Sequence, residues 1–233
     1  MRFADEIVDS FHQFNKDELL KEFKEDTHKS IKEKISLNPI LNSFQHTVNR
    51  YNIGLDLVNT FLDSMEMDLK PHLYDEDKYD KYILGSAQVV GLMCLKVFVD
   101  GNNNQYMELK PHAMSLGSAF QKINFLRDIK ADFEKLGRTY FPNVDISKFN
   151  TEDKKIIEID IKKDFENALI GIKKLPKKSR SGVYLAYIYY FKLFEKIKAL
   201  SPERILSERI RIPNGVKVVL ICQTVIKDKL NLL

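Results

Sequence analysis

Glycine and proline are scarce, at 9 and 7 of 233 residues, which argues against a turn-rich all-β chain and against disorder. The two cysteines, Cys94 and Cys222, both sit in apolar runs and neither belongs to a Cys-x-x-Cys. The opening MRFADEIVDSF has no targeting character, so the reading is a reduced cytoplasmic protein with buried thiols. No apolar stretch reads as long enough to span a bilayer. There is no Gly-x-Ser-x-Gly, P-loop, Gly-x-Gly-x-x-Gly or His-Glu-x-x-His, and the five histidines (His12, His28, His46, His72, His112) lack metal-ligand spacing. The net charge is only +4, and the densest basic run, Lys173 to Arg180, has no regular aromatic interleaving. That argues against a nucleic-acid partner and leaves a weak attraction to an anionic membrane surface open.

What is present is helical. Lysine, glutamate, leucine and isoleucine abound, charges alternate in sign along the chain, and the few breakers divide it into long amphipathic segments. The pattern predicts helices from the start to about Phe23, over His28–Ser36, Pro39–Tyr51, Leu55–Leu69, Glu76–Val99, Met107–Leu136, Glu152–Lys173, Ser179–Leu200 and Val216–Asn231. Lys217–Val225 is rich in β-branched residues, but no partner strand is in view, so helix is preferred there too. The fold class is therefore all-α, one bundle of eight to ten helices with room for a central cavity. The first segment opens mid-helix without a cap, which predicts further sequence upstream of Met1.

Two aspartate pairs, Asp5/Asp9 and Asp128/Asp132, have i, i+4 spacing, which places each pair on one helix face. Like charges so placed repel and invite a counter-ion, and hard carboxylate oxygens suit Mg²⁺, which shares its remaining sites with water and phosphates. The spacing alone is common on solvated faces. The second pair gains from its surroundings: Gln121, Asn124, Asp128 and Asp132 form one polar stripe on a helix whose other residues (Phe120, Ile123, Phe125, Leu126, Ile129) are apolar. Arg2 precedes Asp5 by one turn and Arg127 adjoins Asp128, each able to neutralise a carboxylate or grip a phosphate. Asp63, Glu66 and Asp68 read as a plain helix face, and Tyr184, Tyr187, Tyr189 and Tyr190 as core or as a wall for a cationic ligand.

NFLRDIKADFEKLGRTYFP (124–142) resembles the second signature of the squalene and phytoene synthase family, NxxRDxxxD followed by GRxYxP. RFADEIVD resembles its first signature, an arginine one turn before DxxxD, and YILGSAQVVGLM (82–93) resembles its YxxxxAxxVGxM segment. The resemblance, strongest to bacterial phytoene synthases, covers nearly the whole chain. It implies the isoprenoid synthase-type bundle as a single prenyl synthase domain over residues 1–233, lacking the N-terminal helices that precede the first motif in the family. It implies that Asp5, Asp9, Asp128 and Asp132 bind Mg²⁺ (Mn²⁺ as the alternative) and diphosphate, and that Arg2 contacts a diphosphate. Gln121 and Asn124 lie in the stripe that supports metal and substrate, Tyr82 faces the reacting centre, Tyr190 lies near the diphosphate, and Arg209 is a weaker phosphate candidate; Arg127 is a substrate-binding candidate from its place beside Asp128. The implied reaction is head-to-head condensation of two geranylgeranyl diphosphates to phytoene through prephytoene diphosphate, by a transferase of carotenoid biosynthesis. The alternatives are a farnesyl diphosphate-using dehydrosqualene or squalene synthase and a non-catalytic assembly factor of the same fold. Oligomeric state and contact with the inner membrane face stay open.

Overall fold

The computed structural model describes residues 2–69, 75–136, 140–142 and 144–230, with backbone only for 131–136. Among these residues every regular element is helical. In chain order they are α1 (Arg2–Ser10), α2 (Lys16–Glu33), α3 (Pro39–Arg50), α4 (Leu55–Met67), α5 (Glu76–Ile83), a π-turn (Leu84–Gln88), α6 (Val89–Phe98), α7 (Asn103–Leu136), a 3₁₀ turn (Ile146–Lys148), α8 (Thr151–Lys174), α9 (Lys177–Lys198), α10 (Pro202–Ile205) and α11 (Asn214–Lys229).

The expected first helix is broken. Asn15 caps a new helix by accepting the Glu18 amide on its side chain, and α2 then runs through both expected segments to a left-handed C-cap at Lys34. α7 starts four residues earlier than expected, because Asn102 accepts the Gln105 amide, and it absorbs Pro111 in its interior. The segment Glu76–Phe98 is continuous through the π-turn. Contrary to the sequence reading, it is long and apolar enough to cross a membrane by length and composition, yet here it packs between α4 and α7.

The core has two apolar clusters. One is built by α1–α4, α6 and the start of α7, around Leu20, Leu41, Leu62, Met65 and Leu109. The other joins the second half of α7 to α8, α9 and the segment after α10, around Ile123, Leu126, Ile161, Phe165, Phe194 and Ile197. α7 spans both and packs against α6, α8 and α9. Backbones approach closely where glycine allows it. A Cβ on Gly91 or Gly117 would lie under 3 Å from the backbone of the facing helix, at Ala113 and Ala87 respectively.

Behind the polar stripe, the Lys122 ammonium lies between Asp160 and Asp164 of α8, the latter at 2.7 Å, and its side chain is 10% exposed. Burial alone would pull this ammonium down, but the two carboxylates lift it above the ordinary lysine value. Burial pushes Asp164 up even so, since the ammonium is shared with Asp160. The triad locks the back of α7 to α8.

Candidate active site

An apolar cavity of about 600 Å³ lies between α6, α7, α8 and α9. Small residues line much of it: Ala87 and Gly91, Ala113 and Gly117, Ala168 and Gly171, Gly182 and Ala186. Its polar lining residues include Ser179 and Lys178 at one end and a second group at the other. Gln121 and Asn124 of α7 line it there, and the Tyr190 hydroxyl donates to Asn124 Oδ1 at 3.3 Å. The Tyr190 ring stacks on Phe120 with centroids 4.0 Å apart. This pair was not foreseen as a pair, because its members lie on different helices.

One turn beyond Asn124, Asp128 is held by two arginines. Arg127 donates Nε–H to Oδ1 at 3.1 Å and Nη2–H to Oδ2 at 2.5 Å. Arg209 donates Nη2–H to Oδ2 at 3.3 Å, and its Nε lies 2.7 Å from Oδ1 as an ion pair. Burial would lower the Arg127 guanidinium, but the hydrogen bond and charge of Asp128 raise it. Arg209 reaches this position because Ile205, Ile210 and Ile212 anchor its loop in the second core cluster. Two guanidinium groups on one carboxylate, that of Arg127 forked, keep N–H donors to spare for an anion. Asp132 lies on the same helix, but its side chain falls outside the described residues.

α1 buries Ala4, Ile7 and Val8 and leaves Asp5 and Asp9 exposed on its other face. Its main packing partners are α2 and α4, so the two aspartate-bearing helices are anchored in different halves of the core. The Asp5 carboxyl is raised above its ordinary value by the protein crowding it and by the charges of Asp9 and Glu6, with Arg2 opposing. Arg2 itself pairs with Glu6, at 3.6 Å. Asp5, raised by the protein around it and by its acidic neighbours, is an oxygen donor whose charge a divalent cation would offset. Among the described residues no three His, Cys, Asp or Glu side chains form a ready-made metal cage. Carboxylates spaced i, i+4 are hard oxygen donors of the kind that Mg²⁺ accepts beside water and phosphate.

Tyr82 is buried and its hydroxyl donates to Asp68 at 2.9 Å. Its ring packs with Phe125 and Tyr140, which stack on each other at 3.9 Å, next to the helix face that carries Asp128. Asp68 thus departs from the plain helix face expected of it, while Asp63 and Glu66 keep to it by pairing with Lys24 at 2.7 and 2.8 Å. The cysteines are corrected: both are exposed, and Cys94 opens onto the cavity because its face of α6 lines that space. The surrounding protein nonetheless pushes its thiol up.

The family model for squalene/phytoene synthase matches residues 1–215. The chain is 27% identical over 198 residues to a 15-cis-phytoene synthase of Synechocystis, covering 74% of this chain and 58% of that protein. It is 28% identical over 171 residues to phytoene synthase 1, chloroplastic, of Arabidopsis thaliana, covering 66% and 40%. The chain thus spans about half the length of these relatives. Among solved structures, a dehydrosqualene synthase in complex with a ligand aligns with a TM-score of 0.79 at 16% identity, covering 98% of this chain and 83% of that one. The squalene synthase HpnC of Alicyclobacillus acidocaldarius aligns at 0.71 and 17%, covering 89% and 80%. These two share the fold with this chain, and the family model extends over all three signature segments: the chain belongs to the squalene/phytoene synthase family.

Proposed function

We propose that this chain is a Mg²⁺-dependent prenyltransferase that condenses two geranylgeranyl diphosphates head to head, through prephytoene diphosphate, to phytoene. The observation that carries the reading is the apolar cavity that ends at Gln121, Asn124 and Tyr190, one helical turn from a carboxylate clamped by two arginines. An apolar tail and a charged head need that juxtaposition.

In this reading Arg127 and Arg209 hold Asp128 in place and offer their remaining N–H groups to a diphosphate. Asp5, Asp9, Asp128 and Asp132 would hold Mg²⁺, which when bound supplies positive charge against the departing diphosphate. Gln121 and Asn124 orient the head group from the stripe, while Arg2, exposed near the first pair, is free to swing from Glu6 to a phosphate. The stacked Phe120–Tyr190 pair borders the Gln121–Asn124 end of the cavity, where a developing allylic cation would need an aromatic face for support. Tyr82, oriented by Asp68 and one turn from cavity-lining Ser86, packs in the aromatic cluster with Phe125 and Tyr140 rather than in the cavity wall.

Tail length supports the C20 substrate. From Asn124 to Leu109 the α7 wall is about 22 Å long, and from Tyr190 to Lys178 the α9 wall is about 18 Å. At roughly 1.25 Å per carbon–carbon bond, an extended geranylgeranyl main chain spans about 19 Å and a farnesyl chain about 14 Å. The relatives named as phytoene synthases favour the same choice. The test is incubation of the protein with Mg²⁺ and each diphosphate, followed by extraction and mass analysis of the hydrocarbon. A C40 product from the C20 substrate is expected. A C30 product alone would reassign the chain to the farnesyl-using reaction, and turnover that survives Asp128→Ala would remove the proposed site.

A further inference from the structure

Most glycines in the helix interiors have a packing reason. A Cβ on Gly85, Gly91, Gly117 or Gly171 would lie under 3 Å from a neighbouring atom. Gly182 differs. It sits inside α9, where glycine is disfavoured relative to alanine, yet nothing stands within 4 Å of where its Cβ would be. Its neighbours on the same face, Ser179, Ala186 and Tyr190, line the cavity, as Gly182 does. The helix therefore bears a local weakness that no contact repays; Gly182 is itself exposed, and what it leaves behind is open space along the cavity-lining side of α9.

The depth of that gap is informative. Gly182 lies two helical turns from Tyr190, about 12 Å along α9. A farnesyl tail starting beside Tyr190 would end close to this level, whereas the last isoprene unit of a geranylgeranyl tail would have to pass it. Beyond Gly182 the walls continue to Ser179 and Lys178 on α9 and to Phe98 on α6, so the cavity does extend past it. We infer that Gly182 is the tail-length determinant of this cavity: the missing side chain admits the fourth isoprene unit of a C20 prenyl chain. The inference rests on the reading of the cavity as a prenyl-binding tunnel, and it assigns selection of the chain length to one position of α9.

The test is a graded series, Gly182→Ala, Gly182→Met and Gly182→Leu, in the full chain. Binding of the non-hydrolysable S-thiolo analogues of geranylgeranyl and farnesyl diphosphate is measured by calorimetry with Mg²⁺. Circular dichroism melting checks each fold. Gly182→Ala is expected to melt higher than the parent, since it gains helix propensity without a clash. Gly182→Leu is expected to weaken the C20 probe about ten- to hundredfold and the C15 probe less than about threefold, reversing the length preference. Gly182→Met, flexible enough to settle along a wall, carries the comparison if leucine impairs folding. A folded leucine or methionine variant that weakens both probes equally, or neither, overturns the inference. If neither diphosphate binds the parent protein, the proposed function fails, and the free alcohols geranylgeraniol and farnesol then test the cavity alone by thermal shift. Loss of the C20 preference in the variants still supports the role of Gly182, and the same response to both alcohols in parent and variant overturns it.

Discussion

Replacing Lys122 by methionine, which preserves length and removes only the charge, should destabilise the protein by about 2–3 kcal/mol at pH 8. Removing one partner of a fully buried ion pair costs about 3–5 kcal/mol, because the other charge is left uncompensated. Here the side chains of Lys122 and Asp164 are 10% and 18% exposed, but that of Asp160 is 53% exposed and relaxes into water, so the lower figure applies. For a chain of this size that is a drop in Tm of roughly 5–10 °C. The deficit should depend on pH. Asp164 is already raised by burial with Lys122 present, and it rises further without it. From the ordinary carboxylate value of 3.8 up to that raised value, the folded variant binds a proton that the unfolded chain releases, so its stability falls as pH rises. The Lys122 ammonium, raised above 10.5, contributes its stability throughout this range. The deficit is therefore small near pH 4 and complete at pH 8. Urea unfolding followed by circular dichroism at the two pH values measures it. Lys122→Met/Asp164→Asn should recover more than half of the loss. A deficit under about 0.5 kcal/mol, or one equal at both pH values, would refute the uncompensated-charge argument.

Three further outcomes are expected. Asp5→Asn should stabilise the protein by a few tenths of a kcal/mol at pH 7, the scale of an exposed like-charge pair on a helix. The raised Asp5 carboxyl makes this gain appear as pH rises from 3.8 through its folded value, so a gain larger at pH 3 than at pH 7 would contradict it. Tyr82→Phe removes the hydroxyl donated to buried Asp68 and should cost about 1–2 kcal/mol by chemical denaturation; no loss would show that the contact adds nothing. Cys94, its thiol raised by the surrounding protein, should alkylate more slowly than Cys222 at pH 7.5, accelerate towards pH 9.5, and be protected by a prenyl thio-diphosphate, all read by peptide mass spectrometry. Unprotected Cys94 in the presence of saturating probe would place the tail elsewhere.

Helix content was legible because the 3.6-residue pattern is local, and the polar stripe Gln121–Asn124–Asp128 was legible for the same reason. What escaped the reading depends on the third dimension or on fine backbone detail. The break before Asn15 rests on a single side-chain cap. The π-turn at Leu84–Gln88 shifts the register between Tyr82 and the cavity face of α6, and composition does not announce it. Lys122 and its two aspartates lie about forty positions apart in the chain, as do no residues of a local motif. Cys94 looked buried because its neighbours are apolar, but an apolar wall around a cavity has the same composition as a core. Arg209 ranked low because it sits in no periodic segment; only the packing of Ile205, Ile210 and Ile212 reveals that its loop delivers it to Asp128.

The central claim is that both aspartate pairs serve one Mg²⁺–diphosphate site at the Gln121–Asn124 end of the apolar cavity. Calorimetry with geranylgeranyl thio-diphosphate tests it, comparing the parent protein with Asp5→Asn/Asp9→Asn and with Asp128→Asn/Asp132→Asn, in Mg²⁺ and in EDTA. Each double variant should lose at least about tenfold in affinity, and EDTA should lower the parent to the same level. Binding that persists in EDTA and is indifferent to either double variant would contradict the claim.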